Sequence, residues 1–180
     1  PLDPAPKLDK EIIEKSVRIV GVMGHEPIDK ALTEGADVVL AGRATDTALF
    51  AAVPLRMGAN PGLTWHMAKI IECGAACCVA AAADGMFCYL RDDEFIMEPL
   101  DLNKRCTPLS VASHTLYENS SPYLLREPSV WVDTRNSKYE AVDERSVKVT
   151  GSEVKKADTY TIKLEGAELV GYQTIIIGGI

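Results

Sequence analysis

The feature that most constrains the fold is a change of hydrophobic period near the start of the chain. Residues 16–22 alternate as a β-strand does, Pro27 begins a helix over 28–34, and Gly35 ends it before an apolar run at 37–41. Proline favours the first turn of a helix, and glycine favours the position just past its end. Two strands joined through one helix pair in parallel with a right-handed crossover. The sequence therefore predicts a β-α-β unit.

The rest of the chain changes character after Asn119. Before it, the patterns predict helices over 8–15, 63–80 and 107–118 and a hairpin of strands 87–90 and 94–97. After it, residues alternate in the strand manner at 139–142, 146–150, 160–164 and 169–177. We therefore expect an α/β fold, with a β-α-β unit in its N-terminal half and a mostly antiparallel β C-terminal half. An α/β portion at 1–120 and a β-rich portion at 121–180 are expected to pack as one domain.

Composition and charge exclude several classes of protein. The chain of 180 residues carries a net charge of −7, which argues against a broad nucleic-acid or anionic-membrane surface. Its apolar runs fall short of the ~18 residues that a bilayer span needs. Five cysteines are an odd number and too sparse for a disulfide scaffold, so free thiols and a cytoplasmic location are expected.

A polar loop directly follows the second predicted strand. Residues 42–47 read Gly-Arg-Ala-Thr-Asp-Thr and open a helix. Ligands of open α/β sheets bind at the carboxyl ends of strands, where helix N–H groups favour anions. Arg43 is the candidate to hold a carboxylate or phosphate, with Thr45 and Asp46 beside it. The alternative is a local role, in which Thr45 or Asp46 caps the helix and Arg43 pairs with Asp46.

The predicted helix at 63–80 carries three candidate catalytic residues: His66, Glu72 and Cys73. A thiolate nucleophile at Cys73 needs a cationic neighbour, which Lys69 could supply one turn away; the alternative is a packed, inert thiol. A metal site is not expected, because His66 and Cys73 would lie ~10 Å apart along the helix axis.

His114 is the second candidate acid or base. On the predicted helix at 107–118 it lies between Ser110 and Glu118 at i, i+4 spacing, an arrangement suited to proton transfer. The same spacing is also typical of a solvated polar face.

Polar residues also interrupt the last predicted strands. Lys163, Glu165 and Tyr172 stand among apolar neighbours and need hydrogen-bonding partners. They form either a buried polar network or the wall of a binding pocket, and we count them among the candidate ligand-binding residues.

Several short motifs together resemble the acyclic terpene utilisation (AtuA-like) family. They are Gly-Arg-Ala-Thr-Asp at 42–46, Glu-Cys-Gly at 72–74, Arg-Cys-Thr-Pro at 105–108, His-Thr-Leu-Tyr-Glu at 114–118 and Lys-Leu-Glu-Gly at 163–166. The resemblance covers nearly the whole chain and implies a longer protein, of which this would be the central to C-terminal segment. An opening at Pro1 and an end just after the apolar run 175–177 agree with a fragment. The resemblance implies a link to the bacterial breakdown of acyclic terpenoids such as citronellol, with which some members of the family are associated and which works on CoA thioesters.

Two hypotheses of different classes follow. The first is part of a catabolic enzyme acting on a carboxylated or CoA-linked small molecule, with Arg43 near the anion and His66 or His114 as acid or base. The second is a noncatalytic assembly or scaffold domain, which would form a homo-oligomer or pair with the missing part of the chain. The resemblance carries over neither a reaction nor a catalytic residue, and the sequence assigns no cofactor.

Overall fold

The structure is a computed structural model that describes residues 7–80 and 84–178. Its helices are α1 (Lys10–Lys15), α2 (Glu26–Thr33), α3 (Asp46–Arg56), α4 (Pro61–Ile71) and α5 (Pro108–His114), with a 3-10 turn at Gly74–Cys77. Its strands are β1 (Ser16–Val22), β2 (Met86–Leu90), β3 (Glu94–Pro99), β4 (Leu124–Arg126), β5 (Val130–Asp133), β6 (Lys138–Ala141), β7 (Val147–Thr150), β8 (Glu153–Lys156) and β9 (Lys163–Glu168). Among these residues, no helix is long and apolar enough to cross a membrane.

The strands form three small antiparallel sheets. Their orders are β1-β9, β2-β3-β7-β6 and β4-β5-β8. In the first sheet Val20 of β1 lies opposite Glu165 of β9, and Val22 lies opposite Lys163. Because side chains alternate across a strand, Lys163 and Glu165 share one face of β9.

Helix α4 is the centre of the molecule. It starts at Asn60, whose side chain accepts a hydrogen bond from the Leu63 backbone, and Pro61 occupies its first turn. On one side Leu63, Met67 and Ile70 pack against apolar residues of β3 and β7, while on the other Trp65 and Ala68 pack against β4 and β5. A helix that is apolar nearly all round is expected to be buried in this way.

A close approach of two backbones explains one glycine of this helix. A Cβ atom added to Gly62 would lie 2.2 Å from the Ser152 carbonyl oxygen, between β7 and β8. Glycine is therefore required where the start of α4 meets that turn.

The α/β class and the antiparallel C-terminal half are confirmed, as are β1, the β2–β3 hairpin and the start of α5. Thr107 caps α5 with a capping box: its hydroxyl accepts from the Ser110 backbone, and the Ser110 hydroxyl accepts from the Thr107 backbone. The predicted helix at 63–80 ends earlier, at Ile71, and is followed by Gly74 at φ +56°. The stretch 169–177 forms no strand within the described residues.

The prediction of a second strand in the β-α-β unit is wrong. Within 7–80, residues 37–41 form no strand, and parallel pairing is reduced to a single bridge between Met23 and Ala44. The Val38 and Leu40 side chains are 85% and 98% exposed. A strand exists only where a neighbour satisfies its backbone groups, and β1 pairs with β9 instead.

Candidate functional site

A polar cleft of about 180 Å³ lies where the loop before α3, the end of α4, the turn after α5, the end of β4 and strand β9 meet. Its charged lining comprises four cations and five carboxyl groups: Arg43, Lys69, Arg126, Lys163, Asp46, Glu72, Glu118, Glu127 and Glu165. So many charges in one concave site must be paired or have shifted pKa values.

Glu127 is one of the buried carboxyl groups of this cleft. It follows β4 in a tight turn through Pro128, closed by a 2.9 Å bond from its backbone N–H to the Val130 carbonyl. Its side chain is only 6% exposed. The Thr47 hydroxyl, in the first turn of α3, lies 2.9 Å from Oε1 and 3.0 Å from Oε2 and donates to the carboxylate. Burial outweighs this bond and raises the pKa of Glu127 to about 7.

The Lys69–Glu72 ion pair, at the end of α4, lines another side of the polar cleft. The two side chains are 10% and 6% exposed, and the Lys69 ammonium donates to the Glu72 carboxylate. Burial raises the pKa of Glu72, and the bond to Lys69 opposes that rise.

Residues of the Arg43 loop and of β9 line a further side of the polar cleft and bond to one another. The Arg43 guanidinium donates two hydrogen bonds to the Glu165 carboxylate, one of 2.8 Å from Nε and one of 3.2 Å from a terminal nitrogen. Its contact with Asp46 is longer, at 3.6 Å. The Lys163 ammonium lies 3.0 Å from the same Glu165 carboxylate. Hydrogen bonds from Arg43 and then Lys163 lower the pKa of Glu165 to about 2. The Arg43 guanidinium therefore already makes the two-bond contact with a carboxylate that its planar shape favours, and the carboxylate is that of Glu165.

A second cleft, of about 310 Å³, shares a wall with the first. Thr45, Arg126, Glu127 and Lys163 line both, and Pro128, Thr161 and Ile162 complete the second. The buried Glu127 is therefore part of the lining of both a charged cleft and a more apolar one.

Comparison with known proteins identifies one family. The model of the acyclic terpene utilisation family protein AtuA matches residues 5–178. The chain belongs to this family. The resemblance inferred from the short motifs is thereby confirmed, and membership relates the chain to acyclic terpene utilisation. No curated protein and no solved structure shows significant similarity to it.

Six of the ten candidate residues of this AtuA-family chain meet at the polar cleft: Arg43, Thr45, Asp46, Glu72, Lys163 and Glu165. They come from the α3 loop, from α4 and from β9, so the fold joins three separate parts of the sequence. Their roles stay predictions.

His66 lies away from this cleft, in the core. Its Nδ1 is 2.7 Å from the Ser152 hydroxyl, and its Nε2 is 3.1 Å from the Thr115 hydroxyl and 3.3 Å from that of Tyr139. Burial lowers the pKa of His66 to about 3, so the ring is neutral at physiological pH. This placement suits a structural hydrogen-bonding role.

The other three candidates are also apart from the cleft. His114 is buried and stacks on Tyr117 in a neighbouring cleft, and burial, then Lys69, lowers its pKa. Cys73 follows α4 and is an exposed residue. Partial desolvation of its thiol, and then the charge of Glu72, raises the pKa of the thiol, which disfavours a thiolate. Tyr172 is 94% exposed.

Sequence reasoning missed Glu127 as a site residue. It included Thr47 in the 42–47 loop without a role of its own, and it paired Glu118 with His114 rather than with this cleft. Glu127 follows Arg126 at the end of a short strand that was not predicted, and its partner Thr47 is 80 residues away in the sequence. Glu118 lines the cleft with its backbone at φ +55°, a conformation that residues other than glycine rarely adopt. The Glu-Pro-Ser turn at 127–129 was the one available signal for Glu127.

Proposed function

We propose that the two adjacent clefts are the active site of a catabolic enzyme acting on a carboxylated or CoA-linked small molecule in acyclic terpenoid degradation. The observation that carries this proposal is the buried Glu127 carboxyl with a pKa of about 7, at the wall between a charged and an apolar cleft. Strongly shifted carboxyl groups in clefts are typical of catalytic sites.

Glu127 is assigned the role of general base. A base is most effective when its pKa lies near the working pH, because it is then ionised often and still binds a proton strongly. The carbon next to an acyl carbonyl is the group that such a base deprotonates. Thr47 orients the carboxylate through its hydrogen bond.

The two clefts suit the two ends of such a substrate. The cleft lined by Pro128 and Ile162 would take a branched apolar chain, and the charged cleft would take a carboxylate or the acyl carbonyl. Complete ligand sites usually measure roughly 300–1,000 Å³, so only the reacting end of a CoA thioester fits the charged cleft. An incoming anion would replace Glu165 between Arg43 and Lys163.

Ligand binding tests the anion site. We expect short branched carboxylates or their CoA thioesters to raise the melting temperature of the protein, and Arg43→Ala to abolish that shift. Arg91→Ala is the matched control, since it removes another exposed arginine ion pair, to Glu94, outside the cleft. Equal ligand-induced shifts in both variants would refute the anion site.

A second candidate function is noncatalytic assembly. Large apolar side chains outside the core are exposed, among them Val38, Leu40, Val170, Ile176 and Ile177. A surface of this kind favours a homo-oligomer or a contact with further parts of the chain. Light scattering over a range of protein concentrations tests it, because a monomer at all concentrations would argue against self-assembly.

We also propose a cytoplasmic location. Its support is that all five cysteines have free thiols, the state that a reducing compartment maintains. The net charge of −7 supports small-molecule rather than nucleic-acid or membrane partners. Fractionation of cells that produce the protein tests the location.

A further inference from the structure

Three cysteine sulfurs meet in the core on the far side of α4. Cys77 and Cys78 come from the end of the 3-10 turn, and Cys106 precedes α5. The three Sγ atoms all lie within 4.8 Å of one another, and those of Cys78 and Cys106 are 3.6 Å apart. All three side chains are buried. We call this group the cysteine triad.

The backbone holds the triad together from both sides. Val79, next to Cys78, donates a 2.9 Å hydrogen bond to the Arg105 carbonyl, next to Cys106. The Cys106 backbone donates a further 2.9 Å bond to the Arg145 carbonyl. Each segment is thus fixed by main-chain bonds, so the thiols are arranged before any ligand arrives.

We propose that the cysteine triad is a binding site for one thiophilic metal ion, with Cu(I) as the ion that it fits best. A metal bound to three sulfurs at about 2.3 Å places those sulfurs about 4 Å apart, close to the separations found here. On binding, three S–H bonds break, three metal–sulfur bonds form and three protons pass to solvent. The copper stays Cu(I), so no oxidant or reductant is required.

The surroundings favour Cu(I) over Zn(II). Zn(II) normally takes four ligands, whereas Cu(I) prefers soft sulfur donors. The thioether sulfur of Met86 lies 3.7 Å from the Cys78 sulfur and adds a soft donor beside the triad. Apolar core residues surround the thiols.

Nearby cations offset the charge of such a complex. Three thiolates and one Cu(I) carry two negative charges, which are unfavourable in a core unless they are compensated. Burial raises the pKa of Cys78 to about 12, and the hydrogen bond with Cys77, then burial, raises that of Cys106, whereas the charges of Lys104 and Arg145, respectively, oppose these rises. Arg145 itself donates to the carbonyls of Pro99, Lys104 and Asp101, which keeps its positive charge beside the triad.

A cleft lies next to one member of the triad, Cys78. It measures about 470 Å³ and is lined by Cys78 together with His114, Tyr117, Ser110 and other residues of the α5 region. The His114 Nε2 atom is buried and has no hydrogen-bond partner among the described residues, so a polar donor is available along this route. Cys78 thus lines a cleft, which is the proposed route of an ion to the triad.

Anaerobic titration of the reduced protein with Cu(I), in competition with a chromogenic copper chelator, tests the site. We expect one Cu(I) per chain, a rise in melting temperature and an X-ray absorption spectrum with only sulfur ligands. Cys77→Ala and Cys106→Ala should each abolish tight binding. Circular dichroism of both variants establishes that they fold, and a variant that fails to fold is replaced by Cys78→Ala.

Two further cysteines supply the controls. Cys73→Ser changes an exposed thiol outside the triad, and Cys88→Ala changes a half-buried one outside it. Both should keep one tightly bound Cu(I). Substoichiometric binding to the wild type, equal binding in folded triad variants, or nitrogen and oxygen ligands in the absorption spectrum would each overturn the proposal.

Discussion

The Nδ1 atom of His66 lies 2.7 Å from the Ser152 hydroxyl, although the two residues are 86 positions apart in the chain. The other ring nitrogen meets the Thr115 hydroxyl at 3.1 Å. A neutral imidazole has one donor and one acceptor nitrogen, and a hydroxyl can serve either, so both ring nitrogens are satisfied without a charge. This explains how a fully buried histidine is tolerated in the core.

His66 should make stability depend on acidity. Its pKa is about 3 in the folded protein against an ordinary value of 6.5. Between pH 3 and pH 6.5 the unfolded chain therefore binds a proton at this histidine, whereas the folded protein does not. The stability is complete above pH 6.5 and is lost as pH falls towards 3, by up to about 5 kcal/mol. Urea unfolding from pH 4 to 8 should show a wild-type stability that falls relative to that of His66→Gln as the pH drops below 6.5. Identical slopes would contradict the neutral buried ring.

Glu127 should produce the opposite slope. Its pKa is raised from 4.5 to about 7, so between these values the folded state holds a proton that the unfolded chain has released. Its contribution to stability is present below pH 4.5 and is lost as pH rises through 7, by about 3 kcal/mol. Relative to the wild type, Glu127→Gln should gain stability as the pH rises from 4.5 to 7, since the His66 contribution is the same in both proteins. At pH 8 this variant should unfold at higher urea concentration than the wild type. A less stable variant at pH 8 would show that the ionised carboxylate is well solvated.

The same residue should control the pH profile of turnover. If Glu127 is the base, kcat/KM rises with pH through an apparent pKa near 7, because only the ionised form accepts a proton. Glu127→Gln should lower kcat by about 100-fold or more and leave KM little changed. Steady-state kinetics on a CoA thioester substrate from pH 5 to 9 measures both. A profile that keeps its limb near 7 in Glu127→Gln would assign the proton transfer to another group.

Glu118 offers a test of charge and backbone together. It holds φ +55°, as Ala80 holds φ +57°, and glycine relieves strain at such positions. Glu118→Gly and Ala80→Gly should each raise the free energy of unfolding by about 1 kcal/mol. Glu118→Gly alone should also tighten binding of an anionic ligand, because it removes a carboxylate from the cleft. Calorimetric titration distinguishes the two, and equal affinities would place the anion elsewhere.

Features set by neighbours along the chain could be predicted from the sequence. The Thr107–Ser110 capping box follows from residues three positions apart, and the β2–β3 hairpin follows from two alternating runs around a polar turn. The strand predicted at 160–164 is displaced: β9 covers Lys163–Glu168, and its period of two places Lys163 and Glu165 on one face. For the same reason the polar character of the Arg43 loop is apparent from consecutive residues at 42–47.

What the tertiary structure alone decided depends on residues far apart in sequence. The run 37–41 has the composition of a strand, yet it forms none because a strand also needs a neighbour to pair its backbone. Thr47 meets Glu127 across 80 residues, and the burial that raises the Glu127 pKa is a property of the assembled core, absent from any local pattern. The cysteine triad likewise exists only because Cys106 folds back onto Cys78 from 28 residues away. Hydrophobic period reports which face of an element is apolar, whereas pairing, burial and charge environment arise only when those faces meet.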